Sequence, residues 1–154
     1  MVLGLAILAA CGALEPGSVP PAEIPDPTTL ARTGRPNDWL ICPTGACAAK
    51  ASAAAPAYSA PPERLLIAWW EVLSTQPRAT VIAVDAHRLL VLAQDRTPLL
   101  RFVDTISIRV LPALDGGSTF AAYSRSNLGH GDLGTNRRRL EEWVAALDRR
   151  LAAP

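Results

Sequence analysis

The sequence predicts an α+β fold: a single two-layer domain in which an antiparallel four-strand meander is covered by an N-terminal and a C-terminal helix. Three observations predict it. Apolar residues recur at spacings of three and four in two segments, one opening near Pro61 and one closing near Leu151. Between them lie four runs rich in apolar and β-branched residues. The connections are short, and one holds Asp115-Gly116-Gly117, a strong hairpin signal. The chain of 154 residues has room for one domain, and 49% apolar with 19% charged residues suits a packed core. Fifteen basic residues against fourteen acidic ones leave a net charge of +1. That balance carries no electrostatic footprint for nucleic acid and predicts no strong attraction to an anionic membrane surface.

Residues 1–10 read as a signal peptide of the lipoprotein type. The stretch 2–10 is apolar or glycine and too short to span a bilayer as a helix. It ends in Leu8-Ala9-Ala10-Cys11, which resembles the lipobox of bacterial lipoproteins. That resemblance implies cleavage before Cys11 and acyl chains, such as palmitate, on its thiol and amino group. Two or more chains hold a protein stably on a membrane. Residues 1–8 carry no Lys or Arg, a departure from the usual positive start. The alternative is a short buried apolar N-terminus with a chance cysteine. Residues 11–30 contain Pro16, Pro20, Pro21, Pro25 and Pro27, and read as an extended tether. Residues 31–154 form the domain. Cys42 and Cys47 flank Pro43-Thr44-Gly45-Ala46, a spacing that suits a disulfide outside the cytoplasm, with two free thiols as the alternative. The only histidines are His87 and His130, so no metal site is expected, and no cofactor motif is present.

The elements follow in order. Pro61-Pro62-Glu63 opens a helix, and Leu65, Leu66, Trp69, Val72 and Leu73 form its apolar face until Pro77 stops it. The strand runs are 80–84, 88–94, 102–111 and 118–125. The tight turn at Asp85-Ala86-His87 makes the first two antiparallel. In the third, Asp104, Ile106, Ile108 and Val110 share a face. The last helix runs from about residue 134 to 151, with Leu140, Trp143, Val144, Leu147 and Leu151 as its stripe.

The polar residues between strand four and this helix carry a resemblance. Ser124-Arg125, Asp132, Gly134, Asn136 and Arg139 fit a motif close to S-R-x-x-x-x-x-D-x-G-x-N-x-x-R, with Asp104 in strand three and Arg35-Pro36-Asn37 upstream. Over about residues 33–151 the chain resembles the bacterial and plastid family called domain of unknown function 1499. Gly131 stands where that family often has Ser, and Asp38 where it often has Cys. The resemblance implies a fold and the location of a site, not a reaction.

Asp104, Ser124, Arg125, Asp132, Asn136 and Arg139 are therefore the candidate ligand-binding residues. Asp104 on a core face needs a partner, and Arg125 on the neighbouring strand is the natural one. Asp132 reads either as the cap of the last helix or as part of an anion site at its N-terminus. Asn136 is expected to bond the loop before it. The run Arg137-Arg138-Arg139 reads as a solvated helix face. No base stands at a spacing that would activate Ser124 or Ser126. The expected protein is an uncharacterised, lipid-anchored lipoprotein of the bacterial cell envelope, facing the periplasm. It is expected to bind a small anionic or amphipathic ligand or a partner protein, without catalytic residues. A hydrolase or transferase using Asp104 and Asp132, with or without His130, is the second expectation. A purely structural envelope lipoprotein is the third.

Overall fold

The computed structural model describes residues 23–153. The signal peptide, Cys11 and the first part of the tether lie outside the described residues. The α+β class is as the sequence predicts. One sheet holds β1 (Asp38–Cys42), β2 (Ala53–Ala54), β3 (Ala79–Asp85), β4 (Leu90–Arg96), β5 (Val103–Pro112) and β6 (Ser118–Ser126). Helices α1 (Pro62–Thr75) and α2 (Thr135–Ala152) complete the fold. Among the described residues no helix is long and apolar enough to cross a membrane.

The meander β3–β4–β5–β6 is antiparallel throughout, with Val91 opposite Ile108 and Ile108 opposite Ala122. The four-strand description needs correction, because the sheet order is β2-β1-β6-β5-β4-β3. Strand β1 adds antiparallel to the free edge of β6, and β2 pairs with β1 in parallel, so the sheet is mixed. Only the short run Trp39-Leu40-Ile41 marks β1 in the sequence, and it is flanked by Pro- and Gly-containing loops. Its strand conformation comes from the unpaired edge it covers.

Both helices cover one face. Leu65, Trp69 and Leu73 of α1 and Leu140, Trp143 and Leu147 of α2 are buried against Ile106, Ile108, Val110 and Phe120. Trp69 meets Phe120 edge to face at 5.0 Å between ring centres. Helix α1 starts with Pro62 at its first position and Glu63 in its first turn, both suited to a helix N-terminus.

The second face is covered by chain without helix. Leu40, Cys42, Ala121 and Tyr123 pack with Leu30, Cys47 and Ala49. Cys42 and Cys47 are disulfide-bonded, with Cα atoms 6.3 Å apart. Ile24, 3% exposed, packs on Leu90 and Leu92. Asp26 pairs with Arg109 at 2.6 Å. Among the described residues packing is thus already in place at Ile24, ahead of the tether boundary at residue 30, because Leu90 and Leu92 of β4, with Ile82 of β3, leave an apolar patch on this face in need of cover.

Candidate functional site

The ladders bring several acidic and basic side chains to one end of the sheet. Asp95 stands directly opposite Asp104 on the adjacent strand, on the helix-covered face. Like charges so placed repel. Arg139, projecting from α2, resolves the repulsion. Its Nε donates to Asp95 Oδ2 at 2.9 Å and its Nη2 to Asp104 Oδ2 at 2.7 Å. Its Nη1 donates to Ser124 Oγ at 2.9 Å and to Asn136 Oδ1 at 2.8 Å. The planar, forked guanidinium suits this arrangement, in which four acceptors from four elements converge on one side chain. Arg139 is 5% exposed and Asp104 1% exposed. The solvated reading of the arginine run thus holds for Arg137 and Arg138 but not for Arg139. At 3.6 residues per turn, Arg139 lies beside Leu140 and Trp143 on the packed face.

Asn136 joins this cluster to the loop before α2. It accepts from the Ser124 hydroxyl at 2.6 Å. Its amide nitrogen lies 3.0 Å from the Asn37 carbonyl, 3.0 Å from Ser126 Oγ and 2.6 Å from Asp132 Oδ2. Two hydrogens serve three acceptors, so one is shared. Asp132 accepts from the backbone N–H of Gly134 and of Asn136, both at 2.9 Å. It therefore caps the first turn of α2, from two residues ahead of Gly134. Gly134 holds φ at 77°, a left-handed value that favours glycine.

Burial pushes the Asp104 carboxyl above its ordinary value. The Arg139 contacts oppose that shift and the Asp95 charge adds to it. Its Oδ1 is buried with no hydrogen-bond partner. One cation for two buried carboxylates leaves the cluster short of positive charge, which favours a proton on Asp104.

The structure therefore brings together Asp104, Ser124, Asp132, Asn136 and Arg139. It does not bring Arg125 to them, and the expected Asp104–Arg125 pair is replaced by Asp104–Arg139. The register explains the difference. Ser126 stands opposite Asp104, while Arg125 stands opposite Thr105 and Asp38 and so points to the second face. There Arg125 is exposed and lines an open polar hollow of about 340 Å³ with Arg35, Thr33, Asn37, Thr105 and Asn127. Neither Arg35 nor Arg125 takes part in an ion pair among the described residues. Beside the hollow, Asp38 is held by Arg32 in a close ion pair and accepts from the Tyr123 hydroxyl at 2.8 Å. Burial, and then the Asp38 bond, push the Tyr123 hydroxyl well above its usual range.

Sequence reasoning missed Asp95, which it placed in a loop. The alternation Val91, Ala93, Asp95 continues the core face of β4 and would have shown it. It also missed the role of Asn37, whose contacts join segments far apart in the chain. Asn37, for example, donates to the Gly129 carbonyl at 3.0 Å. Among the described residues no cluster of His, Cys, Asp and Glu has the form of a metal site.

No curated protein matches the chain. Residues 26–147, which contain the whole sheet, the polar cluster and most of α2, match the model of the family described as Protein of unknown function (DUF1499). The resemblance read from the polar motif thus holds over most of the sequence, and the chain belongs to that family.

Proposed function

We propose that the protein is a non-catalytic binding module for a small anionic ligand, taken up in the hollow lined by Arg35 and Arg125. The observation that carries this reading is the pair of exposed guanidinium groups, free of ion pairs among the described residues, beside five hydroxyl and amide side chains. Such a set offers donors to a carboxylate, sulfate or phosphate. The motif residues behind it bond to one another and hold its walls. Asn37 and Ser126 link the hollow to Asn136, and so to Arg139. Binding is favoured over hydrolysis or group transfer by the occupation of Asp132, whose two oxygens both accept backbone N–H bonds. Asp104 is likewise enclosed.

The test is native mass spectrometry of the full chain carrying Cys11→Ser, alone and with Arg125→Ala. A reproducible added mass, lost in a variant of unchanged melting temperature, is expected. Bare protein in both spectra would overturn the ligand reading and favour a structural role.

The lipid anchor on Cys11 is part of the same proposal. It rests on the Leu8-Ala9-Ala10-Cys11 resemblance and places the domain at the periplasmic face of an envelope membrane. Cys11→Ser is then expected to move the expressed protein from the membrane fraction to the soluble one. Full retention on membranes would remove the anchor from the reading.

A further inference from the structure

The near-zero net charge hides an asymmetry between the two ends of the sheet. At one end β3 begins, β4 ends, β5 begins, β6 ends and β1 begins, as the pairings Ala79–Asp95, Arg96–Val103, Asp104–Ser126 and Asp38–Arg125 require. Two loops leave this end, 97–102 between β4 and β5, and 127–134 between β6 and α2. They lie side by side, since Pro98 of the first and Thr135 and Arg138, just past the second, line one hollow of about 240 Å³.

These loops carry most of the large apolar side chains that the described surface exposes. Leu133 is 94% exposed and Leu99 90%, and Leu100, Leu128 and Phe102 are also exposed. Leu114, at the opposite end of the sheet, is the one that lies elsewhere. Around the loops stand the exposed Arg35, Arg78, Arg96, Arg101 and Arg125. None of these five takes part in an ion pair among the described residues. Glu142, which lines the hollow beside Arg138, is exposed, and the other carboxylates of the same end are turned inward. Asp95 and Asp104 are held by Arg139, Asp38 by Arg32, and Asp132 by backbone N–H groups.

We propose that this end of the domain is a membrane-contacting surface. The leucines and Phe102 at the loop tips enter the interfacial layer of a bilayer, and the surrounding arginines hold anionic phospholipid headgroups. Protruding apolar side chains ringed by unpaired cations match the layered chemistry of that interface, acyl chains beneath phosphates. A protein partner would be met instead by a packed apolar patch, with side chains filling one another's gaps. Here the most exposed leucines stand singly on two separate loops. The surface shares Arg35 and Arg125 with the ligand hollow, so its test turns on Leu133, Arg96 and Arg101, which belong neither to the hollow nor to the Cys11 anchor.

The test uses the full chain carrying Cys11→Ser, with one reporter cysteine, Leu133→Cys or Leu114→Cys, labelled with an environment-sensitive nitrobenzoxadiazole dye. Vesicles are phosphatidylcholine alone or mixed with phosphatidylglycerol. The expected result is a blue shift and a several-fold gain in emission at position 133 with the anionic vesicles, and no change at position 114. Adding Arg96→Glu and Arg101→Glu is expected to raise the lipid needed for half the response by tenfold or more. An unchanged reporter at 133 overturns the proposal, including the case in which it responds only to added protein. So does an equal response at 114, or a response indifferent to the two charge reversals.

Discussion

Arg139 and Arg125 reach the same end of one sheet from neighbouring elements, and their surroundings differ in every respect. Arg139 lies on the helix-covered face and is fully engaged by Asp95, Asp104, Ser124 and Asn136. Arg125 lies on the second face, exposed and without an ion pair among the described residues. The difference comes from where each arises: Arg139 projects from α2 onto the covered face and meets Ser124, while Arg125, the next residue along β6, points to the opposite face. It teaches that the motif has two parts. One part holds the end of the sheet together, and the other is presented to whatever approaches it.

The largest test of that division is the loss of the buried cation. Arg139→Met leaves Asp95 and Asp104 facing each other without a partner. A cost of about 3–5 kcal/mol is expected in denaturant unfolding at neutral pH. Arg125→Met is expected to stay within about 0.5 kcal/mol of the parent. Equal losses in the two variants would break the comparison.

The second face has its own staple. Cys42→Ser with Cys47→Ser is expected to cost about 2 kcal/mol by releasing a short loop. The loss should appear as a lower melting temperature with the Arg139 cluster intact. A cost as large as that of Arg139→Met would mean that the two faces do not differ in how they are held.

A smaller effect concerns pH. The folded Asp104 carboxyl titrates above its ordinary value of 3.8, so the native state keeps a proton that the unfolded chain releases. Its stabilising contribution is complete below 3.8 and is lost as pH rises through the folded value. Asp104→Asn imitates the protonated acid and should remove that decline. Unfolding midpoints measured across the acidic range will show it, and a slope identical to the parent's would exclude Asp104 as the titrating group.

The smallest expected stability effect pairs with the sharpest binding effect. Arg35→Ala and Arg125→Ala should leave the melting temperature nearly unchanged while abolishing the anion adduct. If either variant unfolds readily, the hollow is part of the scaffold and the division between the two arginines fails.

Much of this was legible before any fold was known. The apolar spacing of Leu65, Trp69, Val72 and of Leu140, Trp143, Leu147 identified both helices, since burial of one face imposes the helical period. Alternation from Asp104 to Val110 identified a strand with a charge on its core face. The roles of Asp132 as a helix cap and of Asn136 as a loop tie were also legible, because both act within a few residues of chain. Strand β1 was not, because its conformation depends on the β6 edge more than eighty residues away.

The sequence by itself determined the α+β class, the order of its main elements, the family and the residues of its polar motif. Those follow from periodicity, turn chemistry and local capping, all of which act over short stretches of chain. Tertiary structure alone decided that Asp104 pairs with Arg139, that Asp95 joins them, and that Arg125 is turned away. It also decided that arginines scattered from 35 to 125 gather around two apolar loops. Each depends on strand register and helix docking, which juxtapose residues that no local pattern connects.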